Sequence, residues 1–238
     1  MHYAPRTISF LCDLHHPPRT LDARPAQRLH NEMFESGEPL YKSFHVTHEG
    51  AVLSNPVQRA DAGSSVSFLA NRISFREEMT GLGVEDFAGL VRGVTQRASE
   101  LLNLMHVTAQ QVTVRTLLNP KHHSGGVPFM RDGLLRLGEE LEAFGGAQPQ
   151  VYGMRMVFPA TQTDPRMFAL RIESFLGDPR SLYLENQGTF PPLSLADGGI
   201  ERIEQHVHAT YAFVVERILA FVSRFDETAE AGFEGELE

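Results

Sequence analysis

Gln110-Gln111-Val112-Thr113-Val114-Arg115-Thr116-Leu117-Leu118 sets Val112, Val114 and Leu118 in a period of two against Thr113 and Arg115. That alternation marks a strand with one apolar and one polar face. Thr7 to Leu14 repeats the pattern, with Ile8, Phe10, Cys12 and Leu14 on one side and Thr7, Ser9 and Asp13 on the other. Each strand opens a similar series. After the first, a helix is expected from Asp22, an acceptable N-cap with Pro25 in the first turn, to about Glu35, burying Leu29 and Met33. Ser43 to Thr47 and Ala51 to Ser54 then flank a hairpin turn at His48-Glu49-Gly50. Ser64 to Glu77 reads as one long strand whose apolar parity shifts, so a bulge or tight bend is expected at Asn71-Arg72. A helix from Val84 to about Leu104 closes the series, with Phe87, Leu90, Val91, Val94, Ala98 and Leu101 on its stripe.

The second series follows the same order. Lys121-His122-His123-Ser124-Gly125-Gly126 is a loop, and a helix is expected from Pro128 to Phe144, stopped by Gly145-Gly146. Strands are expected at Val151 to Phe158, Met167 to Leu176 and Ser181 to Glu185. A last helix from about Asp197 to Phe225 carries Ile200, Ile203, Val207, Tyr211, Val214, Ile218, Phe221 and Phe225, with Phe213, Val215 and Leu219 beyond that seam. Both halves read β-α-β-β-β-α. The expected fold is α+β: an antiparallel sheet with helices on one face, a long C-terminal helix, and a second face left polar or free to bind. Residues 1–108 and 109–225 form the two halves of one unit, and 226–238 are expected to be a disordered acidic tail.

Composition narrows the function classes. The net charge is −9, and Asp226, Glu227, Glu230, Glu234, Glu236 and Glu238 follow Phe225 with no basic residue among them. An acidic chain without a basic stripe is a poor nucleic-acid binder, because phosphate neutralisation needs clustered Lys and Arg. No apolar run reaches the roughly 20 residues a membrane helix needs, and Met1-His2-Tyr3-Ala4-Pro5-Arg6 has no signal-peptide core. The single cysteine, Cys12, leaves no internal disulfide and no CxxC site. On the apolar parity of its strand it reads as a small core residue. A cytoplasmic location is expected, without a cofactor.

Asn71-Arg72-Ile73-Ser74-Phe75, the helix after it, Val112-Thr113-Val114-Arg115-Thr116-Leu117-Leu118-Asn119 and the final helix through Ala220-Phe221 together resemble an uncharacterised, sporadically distributed bacterial family of about 250-residue proteins. In that family the middle strand tends to carry an Arg, a nearby aromatic and then an Asn. Here Thr116 stands where the aromatic would be, and Asn119 lies one place further on. The resemblance implies the architecture and no activity.

No catalytic signature accompanies this order: GxSxG, GxxxxGK[ST] and GxGxxG are all missing. Histidines could serve as metal ligands, but His206 and His208 are two apart on a helix and point about 200° away from each other. Glu204 and His208 do share a face, and His122-His123 adjoin in a loop, which makes these four the weak metal candidates. The better candidate is a polar sheet face. Gly153, Arg155 and Val157 oppose Met154, Met156 and Phe158, while Arg171 and Glu173 oppose Phe168, Leu170, Ile172 and Leu176. Arg115 lies outside the Val112–Val114 parity. If these strands are neighbours, Arg115, Arg155 and Arg171 surround Glu173 and suit an anionic ligand or a partner's acidic segment.

The function these features suggest is a non-enzymatic binding or assembly protein that contacts proteins, itself included. One alternative is an enzyme or carrier that holds a small anion between a curved sheet and the last helix. Another is a metal-dependent hydrolase built from scattered His and Glu.

Overall fold

A computed structural model describes residues 3–226 other than Glu38, Gln58 and Asp197. Its centre is the antiparallel pair of β1 (Arg6–His15) and β7 (Ala109–Leu118), in register from Ser9↔Arg115 to His15↔Ala109. From β1 the sheet runs outward through β5 (Arg72–Glu78), β4 (Gly63–Leu69), β3 (Gly50–Ser54) and β2 (Ser43–Val46). From β7 it continues through β10 (Leu182–Phe190), β9 (Met167–Ser174) and β8 (Gly153–Phe158). The result is one nine-stranded antiparallel sheet, and each half contributes its strands to one side of the β1–β7 seam. A separate two-stranded ribbon joins β6 (His106–Val107) to β11 (Leu193–Ser194).

The helices share one face of this sheet. On it, α1 (Arg24–Glu35) buries Ala26, Leu29 and Met33, and α2 (Val84–Leu101) buries Phe87, Val91, Val94 and Ala98. The Phe87 ring stacks on Phe10 of β1 at 5.1 Å. α4 (Gly199–Ala212) continues through a π-helical stretch, Phe213–Ile218, into α5 (Leu219–Phe225), forming one long helix across the second half of the sheet. Val112, Val114, Leu170, Leu184 and Phe190 from the sheet meet Ile203, Val207 and Val214 from this helix, all buried. These side chains belong to one buried apolar cluster between sheet and helix.

Three elements differ from expectation. Ser64 to Glu77 is two strands and not one, with Phe68 opposite Ile73; of the expected bulge or tight bend, the structure has the bend, a two-residue turn at Ala70-Asn71. The helix expected from Pro128 to Phe144 is interrupted: α3 (Gly126–Pro128) passes into a π-helical turn, Phe129–Leu134, and a separate 3-10 turn spans Glu139–Phe144. The break follows Leu135, whose N–H donates to Met130 five residues back, and Arg136 takes a positive φ of 52°. In the last helix Val214, Ile218 and Val222 are fully buried while Phe221 and Phe225 are half-buried. A step of four residues overshoots an α-helical turn by about 40°. The wider π-helical turn absorbs the overshoot, so three successive four-residue steps from Thr210 stay on the core side.

The helix ends on Asp226, assigned above to the tail. It is fully buried, and its carboxylate accepts from Tyr3 Oη at 2.5 Å, the N–H groups of Lys121 (2.6 Å) and His122 (3.1 Å), and His123 Nδ1 (2.9 Å). Asp226 thus belongs to the folded body; the rest of the expected tail, 227–238, lies outside the described residues. Burial by itself would raise its pKa, but the four donors outweigh burial and hold it below the ordinary carboxylate value.

A depressed pKa supplies stability above about pH 4 that is lost as pH falls through the folded value. Asp226→Asn should therefore cost about 2 kcal/mol at neutral pH and flatten the acid side of the stability profile, read by urea denaturation against pH. Gly188 lies under the helix, where an added Cβ would sit 2.5 Å from Thr210 Oγ1. Gly188→Ala should cost about 1–3 kcal/mol in the same measurement, because the helix must lift from the sheet.

Candidate functional site

Among the described residues no helix covers the sheet's second face, and the alternation read in the sequence decides what it displays. Opposed positions run across six strands in one row: Glu78 on β5, Ser9 on β1, Arg115 on β7, Glu185 on β10, Arg171 on β9 and Arg155 on β8. At the usual strand spacing the row is about 24 Å long. Arg115 lies at its centre. Its Nε donates to Glu185 Oε2 at 2.7 Å and its Nη1 to Glu78 Oε1 at 3.4 Å. Glu185 also accepts from Tyr183 Oη at 2.8 Å, and the Arg171 guanidinium lies 5.0 Å from the Tyr183 ring centre. Arg171 Nη2 donates to Glu173 at 2.6 Å. Arg76, two residues from Glu78, pairs with it as well.

The register brings Arg115, Arg155, Arg171 and Glu173 to one face, but they do not form three guanidiniums around one carboxylate. β10 separates β7 from β9, so Arg115 is neutralised by Glu185 and Glu78, and among the described residues Glu173 pairs only with Arg171. Glu185, Glu78 and Tyr183 escaped the sequence reading because only the strand order sets β10 and, across β1, β5 beside Arg115; β10 was also expected to end at Glu185, whereas it extends to Phe190. Gln187-Gly188 resembles turn chemistry, yet Gly188 is the close approach to Thr210. The continuing period-two register was the available signal. Leu176, read as part of the apolar set of β9, lies beyond the strand and is 69% exposed.

Charge along the row balances until β8. Arg155 stands opposite Arg171, a like-charge neighbour, and among the described residues it has no hydrogen bond or ion pair. β8 is also the last strand of the sheet, so among the described residues no strand pairs with its outer edge. Its other face carries Met154 and Met156, half-buried, and Phe158, 40% exposed and edge-on to Phe213 at 5.4 Å. The opposite edge strand, β2, is only four residues long.

The metal candidates are held apart. Glu204 lies 3.3 Å from Arg92, His208 lies 3.6 Å from Glu85, and His123 bonds to Asp226. Among the described residues no group of three or more His, Cys, Asp or Glu could hold a metal ion. His206 stacks on Phe190 at 3.9 Å and bonds through Nδ1 to Gln110 Oε1 at 2.7 Å. Burial, assisted by Arg166 and Arg202, lowers its pKa to about 4, so it is neutral at ordinary pH and Nδ1–H donates. Gln110 Nε2 in turn donates to the Ile203 carbonyl at 3.1 Å, tying helix to sheet. Cys12 is fully buried, and burial pushes its thiol up to about 12. These groups hold the core together and offer no nucleophile–base pair.

Compared with known proteins, the sequence matches no family model and no curated protein. Among the described residues no helix is long and apolar enough to cross a membrane.

Burial works against the Glu185 charge, but Tyr183 and Arg115 outweigh it and hold its pKa below the ordinary carboxylate value. A double-mutant cycle of Arg115→Gln and Glu185→Gln should show a coupling of about 1 kcal/mol, against about 0.5 kcal/mol or less for the more exposed Arg171–Glu173 pair. The Arg115–Glu185 coupling should hold above about pH 4.3 and disappear as Glu185 protonates below it.

Proposed function

We propose that this protein is a non-enzymatic, cytoplasmic binding module that accepts an extended segment of a partner protein along the outer edge of β8. The observation that carries this reading is a single strand with three unmet needs. Among the described residues the outer edge of β8 has no paired strand, Arg155 has no counter-charge, and Met154, Met156 and Phe158 are incompletely covered. An added antiparallel strand meets all three together. Its side chains alternate between the faces, so acidic residues would lie beside Arg155 and apolar residues would continue the layer of Met154, Met156 and Phe158.

Charge selects the occupant. Pairing β8 with β8 of a second copy brings like charges together, so Arg155 works against that assembly and favours an acidic strand. A small anion would neutralise Arg155 but leave the backbone edge and the apolar side chains uncovered. The balanced row from Glu78 to Arg171 holds the neighbouring side chains in place and limits the ordering cost on binding.

A labelled peptide alternating valine and glutamate tests the proposal by fluorescence anisotropy, with a valine–lysine peptide of equal length as control. The acidic peptide should bind saturably and the basic one should not. Arg155→Glu should weaken the acidic peptide at least tenfold, about 1.4 kcal/mol, and admit the basic one. Equal binding of both peptides to wild type, or an unchanged preference in the variant, would overturn the reading.

A further inference from the structure

The opposite half of the sheet holds a second feature, independent of the β8 edge. Glu77 of β5 points to the helix side, between Ser64 of β4 and Phe10 of β1, and is only 4% exposed. Its Oε1 accepts the Ser64 hydroxyl at 2.7 Å. Ser64 Oγ in turn accepts from Asn55 Nδ2 at 3.1 Å, and the same nitrogen donates to the Leu40 carbonyl at 2.9 Å. Among the described residues no cation forms an ion pair with Glu77, although buried carboxylates are ordinarily paired. The fully buried Tyr41 hydroxyl, close enough to feel the Glu77 charge, has no hydrogen-bond partner among the described residues.

This carboxylate lines a cleft of about 440 Å³. Pro56, Val57, Met79 and Leu82 give the cleft apolar walls, and Thr80 adds a hydroxyl. Met79 takes φ 52°, a left-handed conformation costly for a side chain of this kind and concentrated in proteins at ligand sites. Arg59 also lines the cleft but is bonded to Asp61 at 3.0 and 2.6 Å, so it does not neutralise Glu77. An acid buried beside an apolar cleft, bonded to neutral hydroxyls and to no cation, is completed by a charged N–H donor entering from the cleft.

We infer that this cleft binds a small organic cation, an amidinium or ammonium group on an apolar body, with Glu77 receiving the N–H donors. Burial raises the pKa of Glu77, with the Ser64 and Thr80 hydroxyls offsetting part of the rise. Cation affinity should therefore increase as pH rises through the Glu77 titration.

Benzamidine and n-butylamine are the probes, with uncharged benzamide as the control, followed by methyl chemical shifts of Val57, Met79 and Leu82. Benzamidine or n-butylamine should shift these methyls saturably at about millimolar concentration, and benzamide should not. Glu77→Gln should weaken the cation at least tenfold and abolish the pH dependence. Val57→Arg, which places a cation in the cleft without touching Glu77, should do the same and serves if Glu77→Gln does not fold. Equal shifts with benzamide and benzamidine, unchanged cation affinity in Val57→Arg, or no shift with either cation would overturn the assignment. None of these readouts depends on the β8 edge.

Discussion

The antiparallel pairing of β1 with β7 is the constraint on which the rest depends. It joins the two halves into one sheet, and its register decides what each face shows. With Cys12 opposite Val112 and Phe10 opposite Val114, the inner positions of both strands supply the floor of the core. The same register sets Ser9 beside Arg115, between Glu78 and Glu185. A slip of one residue would exchange the faces, burying Arg115 under the helices and exposing the valines, at a cost no local contact could recover.

Once the register is fixed, the sheet has two unlike surfaces. The helix side is filled by aliphatic and aromatic side chains and by a few polar groups that bond inward, such as Gln110 with His206 and Asn186 with the Thr210 carbonyl. The other side carries ion pairs between neighbouring strands. These are partly exposed, so their contribution is positional more than energetic: they hold long side chains in fixed places at modest gain. Each side of the sheet leaves one unmet charge at a margin. Arg155 at the β8 margin and Glu77 at the β4–β5 end are both ionic groups without an ionic partner among the described residues, one exposed and one buried. That difference in burial is why the first suits a macromolecular strand and the second a small cation.

Much of this was legible from side-chain parity. Val112 and Val114 against Arg115, Met154 and Met156 against Arg155, and Ile172 against Arg171 each assigned a residue to a face without any structure. What parity cannot supply is strand order. Arg115 and Arg171 share a face, but only the placement of β10 between their strands shows that Glu185 stands between them. The parity shift near Asn71 was visible, yet a bulge and a two-residue hairpin leave the same trace over so short a span. The unbroken helix expected after Pro128 failed for a different reason. Its apolar residues recur at helical spacing, but tertiary packing of short turns satisfies that spacing equally well.

The sequence alone determined the α+β class, the apolar and polar face of most strands and the long C-terminal helix, because each follows from local periodicity; the two halves do not keep the same order, since the first has four strands between its helices and the second has an interrupted first helix. Tertiary structure decided the pairing partners, the place of β8 at the end of the sheet, the burial of Asp226 at the helix end and the cleft beside Glu77. Each of these depends on residues distant in the chain: Asp226 on Tyr3 and His123, and Glu77 on Ser64, Asn55 and the loop at Met79. Periodicity records which side of an element faces inward, and only the folded chain determines what lies opposite it.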